Sequence, residues 1–192
     1  LAPPGGDFPA RRSLSTHLEA LASMGARIVP GVGHHLEVPD GLQPTSIYLF
    51  EASVPGTETA LLAAAAARGT SEIRHAACEP HVVELCEFLQ QLGVQISGAG
   101  TSTIRIDGGA TLGGASHQLW GDYIEAGSWA VVAAVTGGDI EVSGVRPQDI
   151  EVIAAVLARL NLDCQLDDET FRVERSRPRT PAVAGPAGRR LT

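Results

Sequence analysis

A helical face followed by a short strand recurs three times in this chain, at a spacing of 68 residues. Leu14, His17, Leu18, Leu21, Met24, Gly25 and Ile28 line up with Val82, Leu85, Cys86, Leu89, Leu92, Gly93 and Ile96. Those line up in turn with Ile150, Ile153, Ala154, Leu157, Leu160, Asn161 and Cys164. Offsets of three and four place the apolar residues on one face of a helix. Gly25, Gly93 and Asn161 close each copy with a residue type that accepts the left-handed conformation past a helix end. A period this long means one supersecondary unit used repeatedly, since a lone copy cannot bury its apolar face.

The segments between the repeated faces complete the unit. Ser71–Ala77 alternates as a strand, and Glu79-Pro80 opens a helix with proline at a tolerated first-turn position. Val94–Ser97 and Thr101–Asp107 read as strands, Gly108–Gly114 as a loop, and Ser116–Trp120 as a further short strand. Ala60–Ala67 and Asp122–Thr136 read as almost wholly apolar helices, the kind that is usually buried. Asp139–Gly144 is the next strand. The order strand, helix, strand, helix, strand, strand predicts an α/β chain of mixed sheets with helices packed against them. From Arg175 onward Pro, Gly and Arg follow one another without apolar period, which predicts an extended or disordered tail.

The 192 residues suffice for one compact body or two small ones. A formal net charge of −8 argues against nucleic acid as a partner. All 14 basic residues are arginine, and six of them crowd at the end: Arg172, Arg175, Arg177, Arg179, Arg189 and Arg190. Cys78, Cys86 and Cys164 lack metal-ligand spacing and read as reduced, partly buried thiols of a cytoplasmic protein. No apolar run is long enough to span a membrane, and no secretory signal opens the chain. The first residue is Leu1, which suggests a piece of a longer protein.

The stretch Gly5-Gly6-Asp7-Phe8-Pro9-Ala10-Arg11-Arg12 leads directly into the first helix. Glycine permits the turn, proline stiffens it, and Ser13 is a good N-cap for apolar positions beginning at Leu14. Such a loop presents one carboxylate and two guanidinium groups at a helix N-terminus, which suits an anionic substrate. Gly108–Gly114 is glycine-rich, but no Lys-Ser or Lys-Thr follows and strand rather than helix comes next, so it reads as a turn. His34-His35 lacks a third ligand, and His17 lies on an apolar helix face as a core histidine. Glu79, Asp122 and Glu125 stand where acids cap helices.

Five ordered pieces resemble the UDP-N-acetylglucosamine 1-carboxyvinyltransferase family of enolpyruvyl transferases. They are Gly5-Gly6-Asp7 through Arg12, Ser53-Val54-Pro55-Gly56-Thr57-Glu58-Thr59, Ala76-Ala77-Cys78-Glu79-Pro80, Gly98-Ala99-Gly100-Thr101 and Asp122-Tyr123-Ile124-Glu125-Ala126-Gly127. The resemblance covers about residues 3–175. It implies an inside-out α/β barrel built of repeated βαβαββ units, about three of them present here. Residues 1–121 would form most of one domain, 122–175 the first repeat of a second, and 176–192 a tail. Family chains are about twice as long, so the remainder of the enzyme would be this chain's partner.

The implied reaction moves an enolpyruvyl group from phosphoenolpyruvate to the 3′-hydroxyl of UDP-N-acetylglucosamine, in peptidoglycan precursor synthesis in the cytoplasm. It implies no cofactor and no metal. By position, Asp7 stands for the family's loop acid, commonly a cysteine, and Arg12 for the arginine that meets the phosphate of phosphoenolpyruvate. Ser13, Leu14, Ser15 and Thr16, with Glu51, Ala52, Ser53 and Val54, fall where family members contact the nucleotide. Glu79, Asp122 and Glu125 fall where they could support the active site. Without a loop cysteine, fosfomycin resistance is implied. Glu51 replaces a common lysine, and Cys78 and Tyr123 each replace a common arginine. Those three departures keep open an alternative, a non-catalytic binding or structural module on the same fold.

Overall fold

The computed structural model describes residues 13–29, 35–160 and 162–174. These fall into two compact units, one within 1–117 and the other within 118–192.

The first unit opens with helix α1 (Ser15–Ser23) and a hairpin of β1 (Arg27–Val29) and β2 (His35–Glu37). Then come β3 (Ser46–Tyr48), α2 (Val54–Ala66), β4 (Gly69–Arg74), α3 (Pro80–Gln91), β5 (Gln95–Ser97) and β6 (Thr103–Gly108). The last four strands form one sheet in the order β3-β4-β6-β5. α2 crosses between β3 and β4, so that pair is parallel, while β6 runs antiparallel to both β4 and β5. Alternation along the strands sends Ile47, Leu49, Ile73, Ile104 and Ile106 into a core shared with Ala60, Leu61 and Ala64 of α2 and Val82, Cys86 and Leu89 of α3.

The second unit repeats this plan. α4 (Tyr123–Thr136), β7 (Ile140–Ser143), α5 (Pro147–Arg159), β8 (Cys164–Asp167) and β9 (Thr170–Val173) form an antiparallel sheet β7-β9-β8 under two helices. β3 through β6 make one complete βαβαββ unit. α1, β1 and β2 match its last three elements, and α4 through β9 match it without its first strand. Gly25 and Gly93 take positive φ, at 95° and 107°, past the ends of α1 and α3. Asn161, which completes that series, lies outside the described residues, as do His34 and the tail from Arg175.

Four expectations need correction. Ser116–Trp120 forms no strand. The complete unit starts with β3 laid parallel against β4, but the chain before α4 forms no such ladder along β7; Gly121 N–H donates to Gly144 C=O at 2.7 Å. A strand exists only with a partner edge. The apolar helix α4 is not buried all round. Its alanines face the core, while Ile124, Val131, Val132 and Val135 are exposed, Val135 at 74%. Ser13 is one residue short of the cap position: Leu14 is the N-cap of α1, and Ser13 Oγ accepts the Ser15 N–H at 3.0 Å. Of the cysteines, Cys86 is buried and Cys164 half-buried as expected, but Cys78 is exposed because it lies in the turn before α3.

Candidate functional site

The first turns of α1 and α2 are pressed together. A Cβ at Gly56 would lie 2.6 Å from Thr16 Cγ2, so only glycine permits this approach. His17 Nδ1 bonds Thr59 Oγ1 at 2.7 Å one turn further along, so His17 is partnered, but it is half-buried rather than in the core. The contact brings Ser13, Leu14, Ser15 and Thr16 to Glu51, Ala52, Ser53 and Val54. Ser13, Ser15, Glu51 and Ala52 are exposed, Leu14, Ser53 and Val54 half-buried, and Thr16 buried.

Local chemistry builds the α2 end of this site. Ser53 is extended at the N-cap, its Oγ accepts the Gly56 N–H at 3.3 Å, and Pro55 sits in the first turn. The residues before α3 join the same place. Ala77 donates its N–H to Thr57 Oγ1, 3.0 Å away. Three helix N-termini, each a positive dipole end, therefore meet around Ser53–Thr57. They lie at the C-terminal ends of the parallel pair β3 and β4, where open α/β sheets bind ligands. An anionic group is the complement of such a site. Glu51 opposes it with a carboxylate at the mouth.

Glu79 is the N-cap of α3 but makes no side-chain cap bond; its carbonyl instead accepts from Val82 and Val83. Asp122 and Glu125 belong to the second unit. Asp122 Oδ1 accepts the Ile124 and Glu125 N–H groups at 2.8 and 3.2 Å, so it caps α4. Glu125 Oε1 faces Trp129 Nε1 at 3.4 Å. Asp7 and Arg12 lie outside the described residues.

Two features here are absent from the sequence reading. Thr57, fully buried, is the polar hub of the site. His75 takes a left-handed φ of 58°, donates Nδ1–H to Leu49 C=O at 2.8 Å, and stacks on Tyr48 with Phe50 beside it. Period and spacing do not register a threonine inside an apolar helix or a left-handed histidine. No cluster of His, Cys, Asp or Glu able to hold a metal occurs among the described residues. No helix among them is long and apolar enough to cross a membrane.

Repeated βαβαββ units with clustered helix N-termini define a class, the enolpyruvyl transferase fold. The enolpyruvyl transferase NikO from Streptomyces tendae superposes with a TM-score of 0.73 over 86% of this chain and 42% of NikO, at 19% identity. EPSP synthase from Acinetobacter baumannii gives 0.67 over 90% of this chain and 42% of that one, at 21% identity. The profile of the EPSP synthase (3-phosphoshikimate 1-carboxyvinyltransferase) family matches residues 3–184, and the chain belongs to that family. Within it, the chain is similar to proteins named UDP-N-acetylglucosamine 1-carboxyvinyltransferase. It is 40% identical to the one from Treponema denticola over 173 residues, covering 90% of this chain and 40% of the relative. The relative from Solibacter usitatus is also 40% identical, over 87% of this chain and 40% of its own length. The chain thus spans about two-fifths of the curated relatives it matches.

Proposed function

We propose that this chain is part of an enzyme that transfers the enolpyruvyl group of phosphoenolpyruvate to the 3′-hydroxyl of UDP-N-acetylglucosamine, releasing phosphate in peptidoglycan precursor synthesis. One observation carries the reading: 40% identity over 173 residues to a relative bearing that enzyme's name. The cluster of helix N-termini supports it, because a nucleotide diphosphate is an anion that such a cluster attracts. In this reading Ser13–Thr16 and Glu51–Val54 contact the nucleotide. Asp122 acts indirectly, by capping α4, and Glu79 and Glu125 support the active site from the starts of α3 and α4. The rest of the enzyme is the partner, the cytoplasm is the compartment, and no cofactor takes part.

The chemistry falls to Asp7 and Arg12. Asp7 protonates the methylene carbon of phosphoenolpyruvate as the 3′-oxygen bonds to the neighbouring carbon and its hydroxyl proton passes to the substrate's phosphate. A proton of the new methyl group then returns to the Asp7 carboxylate, and hydrogen phosphate departs with the electrons of its C–O bond, its charge met by Arg12. An aspartate is ordinarily ionised at neutral pH. The substrate's own phosphate and carboxylate, with loss of water around them, must raise the Asp7 pKa before it can act as an acid.

The test is phosphate release by the full-length parent enzyme, measured against pH. Turnover should fall as pH rises above neutral, and earlier than in Asp7→Cys. Asp7→Asn should lose about 10²–10⁴-fold, the usual worth of general-acid catalysis. Retention of activity within about threefold would remove Asp7 from this role. Fosfomycin should leave no adduct on the Asp7 peptide by intact mass, because a carboxylate is a far poorer nucleophile than a thiolate. The 192-residue chain alone should release no phosphate. A parent that binds the nucleotide sugar without turnover would favour the non-catalytic module, the reading that Glu51, Cys78 and Tyr123 support.

A further inference from the structure

The turn between β4 and α3 is held from three sides. His75 Nδ1–H reaches Leu49 C=O at the end of β3, 2.8 Å. Ala76 N–H reaches Ser102 C=O, 3.1 Å. Ala77 N–H reaches Thr57 Oγ1, 3.0 Å. The third tie differs in kind, because it joins this turn to the first turn of another helix. Thr57 Oγ1 donates its one hydrogen to Ser53 C=O at 2.8 Å, so only its lone pairs remain for Ala77. Donor and acceptor roles are both used, and the hydroxyl cannot turn without breaking one of them. The side chain is fully buried, so no water stands ready to replace it. His75 takes a left-handed φ of 58°, uncommon for a residue with a side chain.

We propose that Thr57 is a positioning residue for the nucleotide-sugar site. Its hydroxyl sets the Ala77–Glu79 turn against the Ser53 cap, and so fixes the spacing between the N-termini of α2 and α3. This rests on the proposed function, in which residues 51–54 contact the nucleotide. Without the hydroxyl, Ala77 N–H is left buried and unpaired, and the turn must shift to satisfy it. A shift there displaces the N-termini of α2 and α3, which lie beside the residues taken to contact the nucleotide. The expected signature is therefore selective weakening toward one substrate.

Thr57→Val keeps the shape and deletes the hydroxyl; Thr57→Ser keeps the hydroxyl. In the full-length parent, Thr57→Val should raise KM for UDP-N-acetylglucosamine by about tenfold, with KM for phosphoenolpyruvate unchanged within about twofold. Thr57→Ser should stay within about twofold of the parent for both. In the 192-residue chain, Thr57→Val should also speed hydrogen exchange at the Ala77 amide by at least about tenfold, whatever the enzyme's substrate is. A folded Thr57→Val with both KM values unchanged, or both raised equally, overturns the positioning role. If the parent turns over neither substrate, the functional reading fails, and the Ala77 exchange rate then decides: unchanged exchange overturns the tie itself.

Discussion

Gly56→Ala sets two opposed effects against each other at the α1–α2 contact. Alanine in place of glycine inside a helix is worth about 0.8–1 kcal/mol in favour of folding. The new methyl would lie 2.6 Å from Thr16 Cγ2 and 3.1 Å from Thr16 Cβ. Carbon atoms in contact sit about 3.5–4.0 Å apart, so the helices must separate by about 1 Å. Thr16 is buried and β-branched, and its methyl has nowhere to rotate. Overpacking of this kind costs about 1–3 kcal/mol, and occasionally more. The clash should win, leaving Gly56→Ala less stable by about 1–2 kcal/mol. Thr16→Ser alone removes a buried methyl and should cost about 1 kcal/mol. Together the two changes move one methyl across the contact at nearly constant volume, and the double variant should return close to the parent. The coupling in this cycle should then be about 2 kcal/mol toward stability. Both tryptophans lie in the second unit, so Cys86, buried in the first, is the better reporter. Its alkylation in rising urea, read by mass spectrometry, follows the opening of that core. Additive effects of the two substitutions, or a Gly56→Ala chain more stable than the parent, would refute the reasoning.

Gly108→Ala should be worse than Gly56→Ala: its Cβ would lie 2.0 Å from Ala64 C=O and 2.4 Å from Ala67 C=O. Those are backbone atoms that cannot step aside, so Cys86 labelling in urea should show a loss above about 3 kcal/mol or no folded chain. Gly127→Ala should be near neutral or stabilising by up to about 1 kcal/mol, because the nearest atom, Ile153 Cδ1 at 2.9 Å, ends a flexible side chain; Trp129 fluorescence in urea checks it. Burial, aided by the Glu87 charge, pushes the Cys86 thiol up to about 11 from an ordinary 9.0. The unfolded thiol ionises first, so stability is whole below pH 9 and falls by about 1.4 kcal/mol per pH unit between 9 and 11. Urea midpoints across that window should show the slope, and Cys86→Ala should flatten it. Asp122→Ala should cost about 1 kcal/mol through the lost α4 cap, again by Trp129 fluorescence.

What the sequence alone determined is local or strictly periodic. The faces of α3 and α5 follow from 3.6-residue spacing, which each segment carries within itself, whereas α1 buries Thr16, Ala20 and Met24 and leaves Leu14, His17, Leu18 and Leu21 half-buried. The turn past α3 follows from Gly93, and the start of α4 from Asp122, each through bonds within a few residues. The family follows from five ordered pieces, because order along the chain is itself sequence information. Tertiary structure decided whatever needs a second element. Ser116–Trp120 has strand character, but a ladder needs an edge to pair with. α4 is apolar all round, yet only the surface laid against a sheet is buried, and that leaves Val135 in solvent. Ser13–Thr16 and Glu51–Val54 lie far apart in sequence, and the absence of a side chain at Gly56 is what lets them meet. Thr57 reads from sequence as one polar residue in an alanine-rich helix. Its partner Ala77 is 20 residues away, and only the folded chain brings a buried amide within reach of its hydroxyl.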